Sequence, residues 1–484
     1  MALTSDEESK VKQIITAFEN GKRLSDLPEA TGTNPFGMYT EVLDTDGESK
    51  KAALASMLPY LEEQCAYGIE FDTAVSSPAC TRIGSSGLHK RLPVHSRMRG
   101  VLLDDDGNVV EYLDPQDWTG NVRDGSRGQV MVEIPMHYRR FETDGTKRRV
   151  KLSEYPLPGY HCVPTAYVSA YEAAMQRSSG KLASVVNSSP DYRGGFAGGA
   201  QWDGTYRTLI GRPVSAINRA AARSAARKRK AGSVEWNCMT YGLWKTVYWL
   251  YVVEYASLDS QAAYDAALTD DGFRQGGLGH GVTTLQNTAD WSWDGFNDEN
   301  PFVPCGLTDR FGNRTGVGMY TMADAGGGRV FAVSVPRYRG LENPFGHIWS
   351  WLDGINVRAS ASGQPSMVYV SDNPGVFNDT DYDGFRHVGD TVSKGGYVRE
   401  IIFGEGGEIM PLSVDGGSSS TYFCDQGEGK SYDVLTLCGV LAGGRADFSS
   451  QCGLALLNFA NTPSILPPTA GTRLCFIPAS SFQD

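Results

Sequence analysis

The sequence predicts an α+β fold, in which a few helices precede a long region of short strands and glycine-rich loops. Helical spacing of apolar residues is found in a few segments before Gly279 and almost nowhere after it. Short apolar runs separated by turn sequences such as Asp144-Gly145 are typical of β-hairpins. The 484 residues include 57 Gly, 23 Tyr and 9 Trp, which fits a fold with many turns better than a helical bundle. A chain of this length is long enough for about two to four domains.

Residues 1–70 are predicted to form a short N-terminal α/β region for attachment or oligomerisation. Ser5 and Glu8 have the spacing of a capping box, and apolar residues at helical spacing follow them up to Phe18. A strand, an Asp-Gly turn and a second helix, kinked at Pro59, complete the region. Such a small unit buries little surface by itself, so contacts with other proteins are expected to stabilise it.

The chain after residue 70 is predicted to divide at residues 153 and 154. Residues 71–153 form a small β-rich domain, because two hairpins are indicated, at 101–113 and at 130–152. Residues 154–484 mix helices with irregular stretches. Within them we predict helices at 165–176, 215–230, 240–255 and 260–267, and short strands at 330–335 and 397–403.

Charge and hydropathy exclude several classes of protein. The net charge is −12 and the pI is about 5.2, which argues against nucleic-acid binding because phosphate contacts need a basic surface. The chain starts with an acidic, polar stretch, and no signal peptide is indicated. The most hydrophobic segment, Leu243 to Tyr255, is too short to span a bilayer and contains Lys245 and Glu254. It is predicted to be a buried helix, and no membrane insertion is expected.

The cysteines predict neither a zinc site nor a disulfide framework. They are odd in number and widely spaced, and none forms a Cys-x-x-Cys pair. Free, buried thiols made in a reducing cytoplasm are therefore expected. The nine positions are Cys65, Cys80, Cys162, Cys238, Cys305, Cys424, Cys438, Cys452 and Cys475.

Several segments of the second half resemble a known superfamily. NPFGHIWSWLDGIN (343–356) is similar to the Gly-Asn-Val-Trp-Glu-Trp element of formylglycine-generating-enzyme-like domains. Gly443-Gly444 and GTRLCF (471–476) resemble its Arg-Gly-Gly-Ser and Gly-Phe-Arg-Cys elements. The finer resemblance is to the variable proteins of diversity-generating retroelements and to tail proteins of phages that infect gut Bacteroidales. It is carried by GLGHGVTTL (277–285), NPFVPCGLTDRFGNRTG (300–316), YVREIIFGEGGEIMP (397–411) and, upstream, TRIGSSGLHKRLPVHSRMRG (81–100).

The resemblance implies that residues 154–484 form a C-type-lectin-like domain whose ligand-binding segment is 433–474. In such proteins variable side chains project from a fixed scaffold, so substitution there costs little stability. The implied scaffold residues are Gly443, Gly444, Gly453, Gly471 and Arg473. The implied exposed, ligand-binding residues are Arg445, Asp447, Phe448, Ser450, Gln451, Leu457, Asn458, Phe459 and Asn461. The stretch LALLNFANTPSILPP is more apolar than is usual in the family, which suggests an apolar ligand patch or an oligomer interface.

The function implied is that of a phage tail receptor-binding protein without enzymatic activity. It would be made in the bacterial cytoplasm, join the virion through its N-terminus, and bind a bacterial surface protein or glycan. A homo-oligomer, by analogy a trimer, would add avidity. The alternative is a structural tail or decoration protein that uses the same surface for contacts with virion proteins. Burial of Leu456, Leu457, Phe459 and Ile465 would help to separate the two.

An enzymatic alternative is a formylglycine-generating-like oxidase, whose metal needs two specific thiols. The corresponding positions are near Phe448 and Asn458, and neither is a cysteine. Related sulfoxide synthases need a histidine cluster, and the seven histidines show no HxxH or HxxxH spacing. No cofactor is therefore expected, apart from a calcium candidate.

The calcium candidate is Asp379, Asp381 and Asp383, which alternate before Gly384 as in a calcium loop. The competing interpretation is an Asp-rich turn that bonds its own backbone. One basic run, from Arg219 to Lys230, would align its charges on one helix face. It is interpreted as a solvated face or, alternatively, as a docking face for acidic glycans or a partner.

Overall fold

The computed structural model describes residues 39–43, 49–53, 58–195, 210–285, 303–323, 330–361 and 364–482. The fold is mixed, with 15% helix and 38% strand, which agrees with the predicted α+β class. The helix predicted to start near Ser5 lies outside the described residues.

The first part of the chain is mostly β-structure with three short helices. Its elements are β1 (Tyr39–Leu43), β2 (Ser49–Ala53), α1 (Leu58–Cys65), β3 (Ala66–Asp72), β4 (Thr81–Gly84), α2 (Ser86–Arg91), α3 (Pro93–Ser96), β5 (Arg99–Leu103), β6 (Val109–Tyr112), β7 (Gln129–Ile134), β8 (His137–Asp144), β9 (Lys147–Ser153), β10 (His161–Val163), β11 (Ala166–Ser169), β12 (Ala174–Gln176) and β13 (Lys181–Ala183).

The second part contains two longer helices followed by strands. Its elements are α4 (Arg219–Arg227), β14 (Trp236–Cys238), α5 (Tyr241–Tyr255), β15 (Tyr264–Leu268), β16 (Arg274–Gly276), β17 (Gly316–Ala323), β18 (Val330–Tyr338), β19 (Leu341–Glu342), β20 (Trp349–Ala359), β21 (Ser366–Val370), β22 (Arg386–Thr391), β23 (Gly395–Tyr397), β24 (Glu400–Phe403), β25 (Glu408–Ser413), β26 (Gln426–Glu428), β27 (Thr436–Ala442), β28 (Leu457–Asn461), β29 (Ala470–Gly471) and β30 (Leu474–Phe476).

Three large sheets contain most of these strands. A five-stranded sheet has the order β10-β8-β9-β3-β4, and a six-stranded sheet has the order β14-β30-β11-β7-β5-β6. The largest sheet has the order β22-β21-β20-β27-β28-β26-β23, with β29 paired in parallel to β20. It contains both the Trp-rich segment of β20 and the C-terminal strands β27 and β28.

Helix α5 lies at the centre of the core and confirms the helix predicted at 240–255. The Thr240 hydroxyl caps it by accepting from the Leu243 N–H at 3.3 Å. Its side chains are buried on all faces, as expected for a helix that is apolar all round. Two buried indole N–H groups tie it to distant loops: Trp244 donates to Leu454 O and Trp249 to Gly407 O, both at 2.8 Å.

The predicted boundary at residues 153 and 154 is wrong, because one sheet crosses it. Strand β7, from the first part, pairs with β11, and β11 pairs with β30 at the C-terminus. The predicted boundary at residue 70 falls inside β3 (Ala66–Asp72). The main hydrophobic cluster joins residues from β3 to β30. The predicted β-rich and C-terminal domains therefore share one core.

Two predicted helices are strands in the structure. Within 165–176 the chain forms β11 and β12, because β11 completes the sheet between β7 and β30. Within 260–267 the helix is replaced by β15, which pairs with β16 across the Asp270–Gly272 turn. The helix predicted at 215–230 is shorter, Arg219–Arg227, and the Asn218 side chain caps it. The hairpin predicted at 101–113 is confirmed as β5–β6. Of the hairpin predicted at 130–152, the part around Asp144-Gly145 is confirmed as β8–β9, whereas 130–134 belongs to β7 in another sheet.

The basic run on α4 is structural, so both interpretations of it are wrong. Arg219 is fully buried and donates to Ile355 O and to Asn356 Oδ1, each at 2.6 Å. Arg223 donates to both carboxylate oxygens of Asp353, at 2.6 and 2.9 Å. Later in the run, Arg229 is buried and donates to Leu182 O at 2.7 Å. Arg219 and Arg223 fix the middle of β20 against α4, and Arg229 binds the end of the run to β13. The charge of these three arginines is therefore used inside the fold.

Candidate ligand-binding surface

Two glycines shape the turn that leaves β27. Gly443 and Gly444 have φ values of +87° and +92°, a region that side chains other than glycine rarely adopt. A Cβ on Gly444 would lie 2.4 Å from Cys452 Sγ. The Gly443 N–H donates to Leu456 O, and its carbonyl accepts from the Gly346 N–H, both at 3.0 Å. The turn is therefore tied to the Trp-rich segment before β20.

The three residues after this turn that were predicted to contact ligand pack against one another. Arg445 Nε lies 2.8 Å from Asp447 Oδ1, and the guanidinium lies 4.8 Å from the centre of the Phe448 ring. Phe448 meets Trp349 edge to face at 5.3 Å between ring centroids. Arg445 is only 9% exposed, so the prediction that it projects towards a ligand is wrong. It positions Asp447 and Phe448, which stay half-buried at the surface.

A single turn of 3₁₀ helix, Ser449–Gln451, follows Phe448 and presents polar side chains at the surface. Ser449 and Ser450 are exposed and Gln451 is half-buried. The Ser450 hydroxyl lies 3.0 Å from the hydroxyl of Tyr397, the last residue of β23, which sequence reasoning did not connect with the site. We name Asp447, Phe448, Ser449, Ser450 and Gln451 the contact rim.

Residues that the sequence did not indicate hydrogen-bond to the backbone in and after the contact rim. The Gln261 side-chain amide donates to Ser449 O at 3.0 Å and to Cys452 O at 2.6 Å. The Ser260 hydroxyl accepts from the Leu454 N–H at 3.0 Å. Both residues lie in the loop after α5, far away in sequence, and nothing in their spacing points to this contact. The rim backbone is therefore fixed while its side chains remain accessible.

The predicted exposure of Leu457, Asn458 and Phe459 is wrong. These residues lie in β28, which is paired on both sides, antiparallel to β27 and parallel to β26. Leu457 and Phe459 are 0% and 1% exposed and belong to the main hydrophobic cluster. Asn458 is buried, donates to the Glu428 carboxylate and accepts from the Ala460 N–H. Asn461, at the end of the strand, is half-buried.

The Asp-rich loop forms a turn and does not assemble the predicted calcium ligands. Asp379 faces inward and accepts from Arg219 and Arg223 at 2.7 and 2.8 Å. Asp381 accepts from the Asp383 N–H at 3.1 Å, as expected of a turn that bonds its own backbone. Among the residues that the structure describes, no group of three or more His, Cys, Asp or Glu could hold a metal ion.

The cysteines are free thiols, and most are buried as predicted. Cys162 is exposed and Cys80 is half-buried, and the other seven are buried. Cys452, under the contact rim, donates to Arg445 O at 3.4 Å, and burial raises the pKa of its thiol well above the ordinary value. A buried thiol with a raised pKa is a poor nucleophile and metal ligand at neutral pH.

Comparisons with known proteins are sparse. No protein-family model and no curated protein matches the chain. Among solved structures the chain is similar to PvdO from Pseudomonas aeruginosa, with 10% identity and a TM-score of 0.31, covering 74% of this chain and 98% of that chain. Within the described ranges no helix is long and apolar enough to cross a membrane. The function is therefore inferred from the residues and geometry of the chain itself.

Proposed function

We propose that this chain is the receptor-binding protein of a phage tail, with a C-type-lectin-like region that binds a bacterial surface protein or glycan through the contact rim. The protein acts by binding, without covalent chemistry. An oligomer, by analogy a trimer, joins several weak sites into avid attachment. The N-terminal residues hold the protein to the virion.

The main support for this proposal is a set of contacts beside the contact rim. They join the segments that resemble formylglycine-generating-enzyme-like domains, although these segments are far apart in the sequence. Gly346, from the Trp-rich segment, bonds to Gly443, and Trp349 packs on Phe448. Arg473, near the C-terminus, is buried and donates to Asn343 O, at the start of the same segment. A fixed frame with a short exposed turn is the arrangement expected of a surface whose side chains vary at low cost.

The residues proposed to contact the receptor are selected from the predicted ligand-binding residues by the exposure of their side chains. Asp447, Phe448, Ser450, Gln451 and Asn461 are selected, because each is at least partly accessible. An aromatic ring beside serine, glutamine and carboxylate groups suits a mixed apolar and hydrogen-bonding ligand patch. The remaining predicted residues are buried and support the contact residues as a frame: Arg445, Leu457, Asn458 and Phe459.

A structural virion component is the second candidate, supported by a different patch. Leu456, Leu457 and Phe459 are buried in the core of their own chain and are not available as an interface. Val434 and Leu435, just before β27, are 73% and 60% exposed. In this second candidate, these two adjacent exposed apolar side chains form the centre of the contact with another virion protein.

The test is binding of the purified protein to intact cells of candidate gut Bacteroidales. The rim variant carries Ser450→Ala and Gln451→Ala, and the control carries Gln116→Ala and Ser480→Ala, two exposed positions elsewhere. Loss of binding in the rim variant alone, with unchanged thermal unfolding, is the expected result. Equal binding by both variants contradicts the rim as the receptor site. Binding by none of the proteins favours the structural component, for which Val434→Lys should weaken assembly into tails.

A further inference from the structure

The five-stranded sheet has a charged outer face that the proposed function does not use. Side chains alternate along a strand, and Phe141, Val150 and Ile69 point into the main cluster. The residues between them, from β3, β8 and β9, therefore project to the opposite side. These are Glu70, Arg140, Glu142, Asp144, Lys147, Arg149 and Lys151.

These charges form a ladder of ion pairs across the three strands. Glu142 lies 2.9 Å from Arg140 and 3.0 Å from Lys151. Arg149 donates to Glu70 at 2.7 Å and to Asp144 at 3.1 Å. Cross-strand pairs of opposite charge stabilise a sheet by about 0.2–1 kcal/mol each, and here they also hold the charged groups in fixed orientations.

Two open cavities border the ladder and share Arg149. One has a volume of about 620 Å³ and is lined by Arg140, Glu142, Arg149, His161, Gly404 and Glu405, among others. The other has a volume of about 340 Å³ and is lined by Glu62, Glu63, Ile83, Arg149 and Lys151, among others. Gly404 faces open space in the first cavity, since nothing lies within 4 Å of where its Cβ would be. Both volumes fall in the range of small-ligand sites, roughly 300–1,000 Å³.

The charges in each cavity are balanced. The larger has Arg140 and Arg149 against Glu142 and Glu405, and the smaller pairs two cations with two carboxylates in the same way. A balanced cleft does not select an ion by its net charge. Instead it offers closely spaced donors and acceptors, because a guanidinium has five N–H groups and a carboxylate about four lone pairs. Hydroxyl groups, which donate and accept at once, match such a lining.

We propose that the two cavities beside the ladder together bind a neutral oligosaccharide. They form a saccharide site separate from the contact rim. Sugar hydroxyls bridge the carboxylates and guanidinium groups of the ladder through charge-assisted hydrogen bonds. The ion pairs keep these groups oriented before the sugar arrives, which lowers the entropy cost of binding. The proposal does not rest on the identity of the receptor or on a role in a virion.

The test is retardation of the full chain in native gels that contain a polysaccharide. The neutral probes are dextran, mannan and galactan, and the anionic probes are heparin and polygalacturonate. At least one neutral probe should retard the protein, and Glu142→Gln should weaken that retardation about tenfold, as expected for a lost charge-assisted hydrogen bond. The control is Lys147→Gln, on the same ladder but outside both cavities, which should leave retardation unchanged.

The outcomes separate this site from the contact rim. Retardation by no neutral probe, retardation by the anionic probes alone, or equal retardation of the Glu142→Gln and Lys147→Gln variants would overturn the proposal. Thermal unfolding of each variant verifies that it is folded. The rim variant should be retarded like the unmodified protein, so loss of cell binding and loss of saccharide binding are read independently.

Discussion

Asp425 accepts a hydrogen bond of 2.7 Å from the backbone N–H of Ala455, directly behind the contact rim. The carboxyl is 1% exposed, and its other oxygen has no hydrogen-bond partner among the described residues. Burial raises the pKa of Asp425 well above its ordinary value against the opposing effect of the Ala455 N–H, and the nearby Asp259 adds to the rise. The folded protein therefore favours the neutral acid at a position that holds the backbone behind the contact rim.

Replacement of Asp425 by Asn should make the protein more stable at neutral and alkaline pH. The unfolded carboxyl titrates near its usual value of about 3.9, whereas the folded one has a raised pKa. The stabilising contribution of the neutral acid is complete below the unfolded pKa and is lost as pH rises through the folded pKa. The amide that replaces the carboxyl does not titrate, so the gain at pH 8 should be on the order of 1–3 kcal/mol, the cost of a buried polar group left unsatisfied.

Urea unfolding of both proteins at pH 5 and pH 8 measures this gain. The difference between Asp425→Asn and the unmodified protein should be larger at pH 8. A difference that does not change with pH would show that Asp425 is ionised in the fold, or that its charge has a partner. Lys394→Ala, at an exposed pair with Asp415, is a suitable control because it leaves the buried carboxyl untouched.

The ion pair of Arg223 with Asp353 should be worth far more than a surface pair. Asp353 is fully buried, and although burial alone would raise its pKa, the hydrogen bonds and charge of Arg223 hold that pKa below the ordinary value. Arg223→Met would leave a buried carboxylate with less compensation, at a cost of about 3–5 kcal/mol. Lys394→Ala breaks a surface pair of 2.6 Å and should cost about 0–1 kcal/mol. Similar losses in the two variants, measured by urea unfolding, would contradict the structural role of α4.

Local sequence signals predicted the elements that depend on local chemistry. Helix α5 follows from its Thr240 cap and a continuous apolar run, and the β8–β9 hairpin follows from Asp144-Gly145. Residues 165–176 also fit a helix. They are strands because β11 pairs with β7 and with β30, which lies about 300 residues further along the chain, and because β12 pairs with β13. Such pairing is set by tertiary contacts, which override weak local propensity.

The candidate site was also predicted only where local sequence determines the structure. Gly443 and Gly444 were expected to be scaffold, and their positive φ values supply the physical reason. Leu457 and Phe459 were expected to face a ligand, because a sequence does not show that β28 is paired on both sides. The support of the rim by Gln261 joins positions about 190 residues apart, as its contact with Cys452 shows.

Gly444→Ala should disrupt the turn under the contact rim. Its φ of +92° strains any residue with a Cβ, and the added atom would lie 2.4 Å from Cys452 Sγ and 2.9 Å from Leu456 Cδ2. Gly145→Ala is the matched control, because Gly145 also has a positive φ, +59°, but nothing lies within 4 Å of the new atom. The strain alone costs about 1–2 kcal/mol, and overpacking adds about 1–3 kcal/mol at Gly444 only. Equal losses of unfolding free energy would contradict the close packing of Gly444.

Truncation of Phe459 and of Ser450 should separate the frame of the site from its contact rim. Phe459 is 1% exposed in the main cluster, so Phe459→Ala should cost about 3–5 kcal/mol of unfolding free energy. Ser450 is exposed and bonds only at the surface with Tyr397, so Ser450→Ala should stay within about 0.5 kcal/mol. Leu412→Ala, at an exposed apolar residue of β25, controls for the loss of apolar surface by itself. A small effect of Phe459→Ala on stability, together with a large loss of cell binding, would return Phe459 to the ligand-binding set. The opposite result, with Ser450→Ala reducing cell binding in a fully stable protein, would assign recognition to the rim and stability to β28.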